Sequence, residues 1–483
     1  MTKNSMEMNR LNAGYVLPLL AGPAVFLLVL LNEPLFTGMS EAAWLLSGLT
    51  AWMAIWWISE SVPIPVTSLL PIIVIPLLSL DSIANVTAPY ADPLIFLFLG
   101  GFMLSIAMER WDLHKRIALL TMLMVGSKPS QQIAGIMLVT AFLSMWMSNT
   151  ATAVMMLPIA LSIIGMQDNI SDKFAKAMLL SIAYAASIGG VATLIGTPPN
   201  ALLAGYLRNQ YQLEIGFAEW MLLGVPVAIL MLIGAWYWLT QCHFRFARDE
   251  VQISRQLYLD KLATLGPMQR AEKIVLAVFL LAASLWILRI WLTRITGLPL
   301  NDTLTAIFCA SLLFIIPVSF KSGQRVLVWE DCAKLPWGIL ILFGGGLTLA
   351  AQIQKSGLAD FIASQVGALG AINLLLLIVL VTTIIIFLTE VTSNTATAAA
   401  FLPLLGPVAV SLNTSASMLV IPAAIAASCA FMMPVATPPN AIVFSSGKLK
   451  IADMVKAGFV LNLLAILVIT AAVWFISPYL FDF

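Results

Sequence analysis

The strongest constraint on this chain is a polar phrase that occurs twice in a very apolar sequence. The first copy, SNTATAVMMLP, begins at Ser148, and the second, SNTATAAAFLP, begins at Ser393. Eight of the eleven positions are identical. A companion phrase, TPPNA, follows each copy, at Thr197 and again at Thr437. Any fold must therefore account for four polar segments that recur in the same order.

These phrases stand out because 61% of the 483 residues are hydrophobic and only 10% are charged. A soluble domain carries about 25% charged residues. Long uncharged runs recur from end to end, so the sequence predicts an all-α polytopic membrane protein. The four cysteines have no paired spacing, and they indicate neither a disulfide framework nor a metal site.

Eleven apolar runs are predicted to be transmembrane helices. With the N-terminus in the cytoplasm and one crossing per run, 20 of the 24 lysines and arginines fall in inside loops, as the positive-inside rule requires. The C-terminus is then outside, and we expect a bacterial inner (plasma) membrane protein. The runs cover about residues 15–31, 42–59, 65–80, 93–108, 177–207, 219–242, 274–293, 303–320, 335–354, 415–447 and 457–481.

Two further apolar stretches, 129–167 and about 371–412, are predicted to enter the membrane without crossing it. The first is uncharged for 39 residues, and one helix of that length would be about 58 Å long, roughly twice the hydrocarbon core. Its only polar break is Ser-Asn-Thr. Each stretch is therefore predicted to be a re-entrant hairpin, with turns at Ser148–Thr150 and Ser393–Thr395. If either crossed once, every later loop would change sides and the charge bias would weaken.

The two halves of the chain are related by a duplication. The offset of 245 residues between the polar phrases also aligns Phe98 with Phe343 and Pro158 with Pro403, so the register holds for about sixty residues. Five predicted crossings separate the two hairpins. Because five is odd, the hairpins enter from opposite faces, which is the inverted-topology repeat typical of secondary transporters.

The four polar segments have the chemistry of an ion and anion site. A hairpin tip and a Thr-Pro-Pro break both interrupt a helix, and such backbone persists at membrane depth only where it is buried or lines a cavity. Freed carbonyls attract a cation, and helix N-termini attract an anion. No lysine or arginine lies in these segments. Neutral oxygen ligands suit Na⁺ better than Ca²⁺ or a transition metal.

The paired SNT motifs, each followed by a TPPN-type break, resemble the divalent-anion/sodium symporter (DASS, INDY-type) family over nearly the whole chain. Both motifs are intact, which is similar to the di- and tricarboxylate branch. The resemblance implies a homodimer in which a scaffold domain grips the lipid bilayer and a transport domain moves as an elevator. It assigns residues 1–114 and 243–354 to the scaffold, the latter with a cytoplasmic connector, and residues 115–242 and 355–483 to the transport part.

The resemblance also implies the roles of individual residues. The carboxylates of the substrate would contact Ser148, Asn149, Thr150, Thr197, Asn394, Thr395, Thr437 and Pro438. One sodium ion would be bound by Ser144, Ser148, Asn149 and Gly196. A second sodium ion would be bound by Thr389, Thr392, Asn394 and Ala436.

These inferences predict a secondary active transporter that imports a C4-dicarboxylate (succinate, malate or fumarate) together with Na⁺. The alternatives are an anion exchanger, which exchanges citrate or tartrate for succinate, and a sulfate symporter. An intramembrane enzyme is disfavoured because no catalytic dyad or metal cluster falls at membrane depth. A channel is disfavoured by the broken inverted repeat.

Glu390 is the only acidic residue within a predicted hairpin, and it aligns with Met145, so it breaks the symmetry of the repeat. Ionisable groups inside a membrane usually pair with their neighbours. We therefore expect Glu390 to make a structural hydrogen bond or ion pair at the base of the hairpin. A role as sodium ligand or proton acceptor is the alternative.

Overall fold

The computed structural model of the protein describes residues 13–165, 171–245, 255–319, 321, 323–367 and 373–481. The other residues, which include parts of the predicted scaffold segment 243–354 and of both hairpin stretches, lie outside this description. Within the described residues every regular element is helical, and one isolated β-bridge joins Pro317 and Arg325. The predicted all-α class is confirmed.

The first half of the described chain forms helices α1 to α12. A 3-10 helix, Ala88–Ala91, joins α5 to α6, and a π-helical turn, Trp238–His243, extends α12. The helices are α1 (Ala13–Leu30), α2 (Glu41–Ser59), α3 (Ile64–Thr67), α4 (Leu70–Leu77), α5 (Ile83–Thr87), α6 (Pro93–Arg110), α7 (Leu113–Met124), α8 (Pro129–Ser144), α9 (Asn149–Gly165), α10 (Asp172–Val191), α11 (Pro198–Tyr211) and α12 (Phe217–Tyr237).

The second half of the described chain forms helices α13 to α24, and a 3-10 helix, Trp329–Lys334, precedes α17. The helices are α13 (Gln256–Leu265), α14 (Arg270–Ile287), α15 (Arg289–Thr296), α16 (Asp302–Ile315), α17 (Trp337–Lys355), α18 (Leu358–Gly367), α19 (Leu374–Thr389), α20 (Asn394–Ser411), α21 (Ser417–Ala427), α22 (Pro438–Phe444), α23 (Ile451–Phe475) and α24 (Ser477–Phe481).

Seven helical segments of the described chain are long and apolar enough to cross a membrane. The count is eight if α14 and α15, which are bent by 79° at their junction, form one span. The predicted run 65–80 is also interrupted, because α3 ends at Thr67 and a new helix, α4, begins at Leu70 with Pro71 in its first turn. Proline cannot donate the hydrogen bond that would continue a helix. The chain is thus a polytopic membrane protein, while the number of eleven crossings stays a prediction.

The two predicted hairpin stretches each form a pair of helices, α8 with α9 and α19 with α20. The breaks between them cover residues 145–148 and 390–393. The turns therefore lie slightly earlier than predicted, because Asn149 already begins α9 and Asn394 begins α20. Ser148 and Ser393 are the residues before each second helix, and their hydroxyls accept the backbone N–H three residues on, at 3.2 and 3.5 Å. This is helix N-cap geometry.

The two TPPN segments interrupt a helix, as the sequence predicts. Residues 192–197 separate α10 from α11, and residues 428–437 separate α21 from α22. Thr197 and Thr437 are the N-caps, and the two prolines that follow each threonine begin the next helix. Proline is tolerated there because the first N–H groups of a helix have no partner within it.

The duplication is visible in the packing of α6 against α17. Phe98 and Phe343 occupy equivalent positions, and their rings meet edge to face with centroids 5.1 Å apart. A residue can contact its own equivalent only near the axis that relates the two repeats. The pair therefore locates a pseudo-twofold axis between α6 and α17.

Two ion pairs, whose basic residues occupy equivalent positions, also link the two repeats. Arg110 ends α6 and pairs with Asp331, just before α17. Its equivalent, Lys355, ends α17 and pairs with Asp81, before α6, at 2.7 Å. The hydrogen bond from Lys355 holds the pKa of Asp81 well below its usual range. Each helix is thus tied to the acidic residue that precedes its counterpart.

Glycines allow these helices to approach closely. A Cβ added to Gly100 would lie 2.7 Å from the carbonyl carbon of Ala306 in α16. A Cβ added to Gly345 would lie 2.4 Å from the backbone oxygen of Ser68. These glycines therefore permit close packing between helices.

Candidate functional site

The breaks of both repeats meet around a cavity of about 590 Å³. All eight predicted substrate-binding residues line it, and so do six of the eight predicted sodium-binding residues. The other two, Ser144 and Thr389, are fully buried and hydrogen-bonded to asparagines of the lining. The four repeated segments contribute to the lining Ser148, Asn149, Thr150, Gly196, Thr197, Thr392, Ser393, Asn394, Thr395, Ala436, Thr437 and Pro438.

The first repeat groups three oxygen atoms behind this cavity. The hydroxyl of Ser144 lies 2.5 Å from Asn149 Oδ1 and 2.7 Å from the carbonyl oxygen of Ala186. A serine hydroxyl has a single proton, so it can donate fully to only one of these acceptors at a time. An oxygen-rich cluster of this kind is also suited to a small hard cation.

The second repeat builds the same arrangement. The hydroxyl of Thr389 lies 2.8 Å from Asn394 Oδ1 and 3.0 Å from the carbonyl oxygen of Ala427. Thr392 adds a further hydroxyl, 2.7 Å from that of Thr397. The cavity is therefore flanked by two chemically matched oxygen clusters, one from each repeat.

Gly196 lies where the break of the first repeat folds back on the end of α10. A Cβ at this position would be 2.4 Å from the carbonyl oxygen of Gly190. A Cβ at Gly190 would in turn be 2.8 Å from Asn149 Oδ1. The backbone of the break therefore reaches the asparagine of the first oxygen cluster only because both residues lack a side chain.

The asparagines of the two TPPN segments have a role that the sequence did not single out. The side-chain N–H₂ of Asn200 donates to the carbonyl of Thr193 at 2.8 Å and to the carbonyls of Gly190 and Val191 at the end of α10. Asn440 likewise donates to the carbonyl of Met433 at 2.9 Å. Both are fully buried. They partner backbone groups that the interrupted helix leaves free, and their recurrence in the repeated phrase was the available signal.

The two threonines of the TPPN segments are bonded differently. The hydroxyl of Thr197 lies 3.3 Å from that of Ser428 in the other repeat. The hydroxyl of Thr437 instead accepts the backbone N–H of Asn440. The Thr197–Ser428 contact joins the two breaks beside the cavity, which Thr197 lines.

Glu390 stabilises the break of the second repeat. Its carboxylate accepts the backbone N–H groups of Phe431, Met432 and Met433 at 2.7 to 3.0 Å. It also accepts the side-chain N–H₂ of Asn462 at 2.8 Å. The expected structural hydrogen bonding of Glu390 is confirmed by these contacts, and its exclusion from the sodium sites stays a prediction.

The first repeat uses a different brace at the equivalent place. There the hydroxyl of Thr193 donates to the carbonyl oxygen of Met145 at 2.5 Å. A hydrogen bond between a neutral hydroxyl and a carbonyl thus stabilises the first break, whereas a carboxylate that accepts three backbone N–H groups stabilises the second. The clusters behind the cavity are matched in chemistry, whereas the braces beside them are not.

The opposite wall of the cavity comes from α2, α6 and α17, and sequence analysis did not identify it. Its residues carry no repeated motif, so only the fold brings them to the site. Among the described residues of the lining, Glu60 alone is charged. It ends α2 in the left-handed conformation, with φ of 48°, and its side chain is exposed. The wall consists of Ile58, Ser59, Glu60, Phe102 and Ile339.

A second cavity, of about 940 Å³, leads away from the site. The two cavities share Phe102, Ser148, Thr150 and Ile339. Residues of α9 form one side of this vestibule, and α6, α7, α13 and the start of α17 form the other. Its lining includes Glu109, Asp112, Lys115, Lys261 and Lys334. The site is therefore connected to one face of the protein.

Curated relatives match the chain over almost its full length. It is 42% identical to the sodium-dependent dicarboxylate transporter SdcS of Staphylococcus saprophyticus, over 98% of this chain and 94% of the relative. It is 43% identical to SdcS of Staphylococcus aureus (strain USA300), over 97% of this chain and 92% of the relative. These relatives are named as transporters, not as enzymes.

A solved structure shows a similar fold, and a family model gives the family assignment. The fold is similar to the crystal structure of the Alcanivorax borkumensis YdaH transporter, with a TM-score of 0.60 and 14% sequence identity, over 84% of this chain and 89% of that chain. The model for the sodium:sulfate symporter transmembrane region matches residues 15–480. The resemblance to divalent-anion/sodium symporters is thereby confirmed, and the chain belongs to the sodium:sulfate symporter family.

Proposed function

We propose that the protein is a secondary active transporter that imports C4-dicarboxylates such as succinate, malate or fumarate together with Na⁺. The observation that carries this proposal is the pair of matched oxygen clusters that flank one cavity with neutral polar walls. The names of the SdcS relatives support both the substrate class and the coupling ion. Membership of a transporter family argues against an enzyme.

The cavity can hold an anion without a basic side chain. The N-terminal ends of α9, α11 and α20 line it, at Asn149, Pro198 and Asn394. Helix N-termini carry unpaired N–H groups and a partial positive charge of roughly half an elementary charge. The hydroxyls of Thr150 and Thr395 add further donors. This donor set fits two carboxylates held at opposite ends of a small molecule.

Coupling follows from the charges. In the proposed sites, one sodium ion contacts Ser144, Ser148, Asn149 and Gly196, and the other contacts Thr389, Thr392, Asn394 and Ala436. Because the lining offers no lysine or arginine, the two sodium ions supply the positive charge that a dianion requires. The asparagines belong to both the proposed sodium and substrate sites. Ion binding therefore orients the groups that bind the substrate, which gives positive cooperativity between them.

The proposed mechanism is an elevator within a homodimer. Residues 1–114 and 243–354 form the scaffold, and residues 115–242 and 355–483 form the transport part that carries the site. The pairs α8–α9 and α19–α20 are re-entrant hairpins, and eleven helices cross the bilayer. With the N-terminus in the cytoplasm and the C-terminus outside, the vestibule opens to the cytoplasm, and its three lysines agree with the positive-inside rule.

The proposal is tested by uptake of labelled succinate into proteoliposomes under a sodium gradient. Asn149→Ala and Asn394→Ala are each expected to abolish uptake while the protein remains a folded dimer. Asn85→Ala, at an exposed asparagine outside the site, is the matched control and should transport normally. Full sodium-driven uptake in both site variants would contradict the site assignment.

The same vesicles distinguish symport from its alternatives. A symporter needs a sodium gradient and no internal anion, whereas an exchanger needs internal citrate, tartrate or succinate and no gradient. Substrate-dependent thermal stabilisation, measured with succinate, citrate and sulfate in sodium or potassium salts, separates the substrate classes. We expect succinate to stabilise the protein only in sodium, because a ligand stabilises the folded state only when its concentration is comparable to or above its Kd.

A further inference from the structure

The two repeats are unequally engaged with the scaffold. Helix α11 packs against α6 and α17, whereas its counterpart α22 has α9 and α10 as its principal partners. Helix α20 packs against α2 and α17, whereas its counterpart α9 borders the vestibule. An inverted repeat would make these contacts equal if both faces were in the same state. The structure is therefore open at one face and closed at the other, and something must hold the closed face.

Asp92 is the centre of the contacts at the closed face. It is the buried N-cap of α6, where one carboxylate oxygen accepts the N–H of Leu94 at 2.8 Å. The other oxygen accepts Arg208 Nη2 at 2.5 Å and Asn209 Nδ2 at 2.9 Å. Arg208 and Asn209 belong to the last turn of α11. A charge-assisted hydrogen bond to a buried carboxylate is among the stronger polar contacts in proteins.

A second acidic residue holds the other end of the same segment. Asp302, at the start of α16, accepts the backbone N–H of Phe217 at 2.8 Å, and Arg289 lies 3.4 Å from it. Arg289 also lies 3.6 Å from Glu214. The connection between α11 and α12 is thus held at both ends by residues of the proposed scaffold.

The equivalent position in the second repeat lacks this contact. Lys448 aligns with Arg208 and is exposed, and Trp337 aligns with Asp92 but donates its indole N–H to Cys332. Near the start of α23, the ion pair that the described residues form is between Lys176 and Asp453, at 3.1 Å. Lys176 belongs to the same transport part. Among the described residues, the equivalent position of the second repeat thus has no counterpart of the Asp92–Arg208 ion pair, and the ion pair of Arg116 with Glu272 joins the two parts elsewhere, through α7.

We propose that Asp92 with Arg208 and Asn209 forms an interdomain lock, which keeps the site closed toward the outer face and must separate before the site opens there. The lock rests on the proposed function for its two domains and its orientation. A contact made in one state and absent from the other sets their relative populations. The lock therefore determines how often the carrier turns outward, although it touches neither sodium nor substrate.

The test measures which face of the protein a reporter cysteine is exposed to. Cys242, the one native cysteine that is not buried, is first replaced by serine. Val154→Cys places a reporter in the vestibule, where the native side chain is 54% exposed. Ala204→Cys places a reporter beside the lock, where the native residue is 2% exposed. A membrane-impermeant maleimide is applied to each face of oriented vesicles, without sodium or dicarboxylate.

Removing the charged contact should expose the closed face. Arg208→Gln and Asp92→Asn are expected to raise outer-face labelling of A204C by about tenfold and to lower inner-face labelling of V154C, since hydrogen bonds to charged groups contribute on this scale. The charge reversal Arg208→Asp with Asp92→Arg should restore part of the original pattern. Arg110→Gln, which breaks the Arg110–Asp331 ion pair within the scaffold, is the matched control and should change neither rate.

Two results would overturn the lock. One is unchanged labelling of A204C in both single variants that elute as folded protein. The other is an equal rise in the Arg110→Gln control. Sodium-driven succinate uptake in the same vesicles is scored separately. Loss of uptake in the unmodified protein would refute the proposed function, whereas the labelling pattern alone decides the lock.

Discussion

Glu390→Gln gives the most direct test of how the second break is stabilised. The substitution keeps the size of the side chain and exchanges one carboxylate oxygen for an N–H₂ group. The carboxylate now accepts three backbone N–H groups and one amide N–H₂. A glutamine has one oxygen, so some of these donors must face another donor.

The expected loss of stability can be worked from the contacts. The least disruptive orientation keeps the glutamine oxygen toward Phe431 and Asn462, and it turns the N–H₂ toward Met433, whose N–H then has no acceptor. One buried unsatisfied N–H costs about 1–3 kcal/mol. The remaining bonds change from charge-assisted to neutral, which roughly halves their strength. Because a buried charge is also removed, we expect a net loss of about 2–4 kcal/mol.

The assay combines thermal unfolding in detergent with sodium titration of succinate uptake. Glu390→Gln should melt several degrees below the unmodified protein and show a raised sodium half-saturation, with sodium-dependent uptake retained. Asn462→Ala removes only one of the contacts to the carboxylate. It should therefore change both quantities in the same direction and by less.

One outcome would refute the reasoning. If Glu390→Gln melts at the normal temperature and has no sodium-dependent uptake, the carboxylate acts on the ion directly and not through the break. A variant that is destabilised and still driven by sodium supports the structural role.

Three further perturbations test other parts of the site. Gly196→Ala should abolish uptake, because its Cβ would lie 2.4 Å from the backbone oxygen of Gly190. Gly165→Ala is the control, because its Cβ would have no atom within 4 Å, and it should show normal uptake in the same assay. Glu60→Gln removes the charge that faces a bound dianion, so the KM for succinate should fall about two- to fivefold at low ionic strength and less in high salt. Asn440→Ala leaves two carbonyls of the break without its N–H₂, and it should lower stability by about 2 kcal/mol in thermal melts.

The polar lining of the site could be predicted because its chemistry is local. A serine, asparagine or threonine in an apolar membrane chain must be buried against other polar groups, and its doubling identified which groups those were. The Thr-Pro-Pro breaks could also be predicted, since proline interrupts a helix wherever it occurs. The structure accordingly brings Ser148, Thr197 and their equivalents, Ser393 and Thr437, around one cavity.

The opposite wall could not be predicted, because it depends on which distant helices approach the motifs. Phe102 and Ile339 are ordinary apolar residues of their helices, and Glu60 lies at a helix end with no repeated partner. The turns of the two hairpin stretches also lie earlier in the chain than the sequence predicts. Asn149 and Thr150 are acceptable both in a turn and in the first turn of a helix, and only the N-cap bond of Ser148 decides between these.

The divergence between the braces has a consequence for the two proposed sodium sites. Both repeats have a hydroxyl, an asparagine and a carbonyl behind the cavity, but a carboxylate follows Thr389 whereas a methionine follows Ser144. In a medium of low dielectric constant a neighbouring negative charge favours a cation even without direct contact. The second cluster should therefore bind sodium more tightly than the first and fill before it. Glu390 then favours sodium binding in two ways, by its negative electrostatic field and by stabilising the break. Neutralising Glu390 should therefore weaken sodium binding without abolishing it.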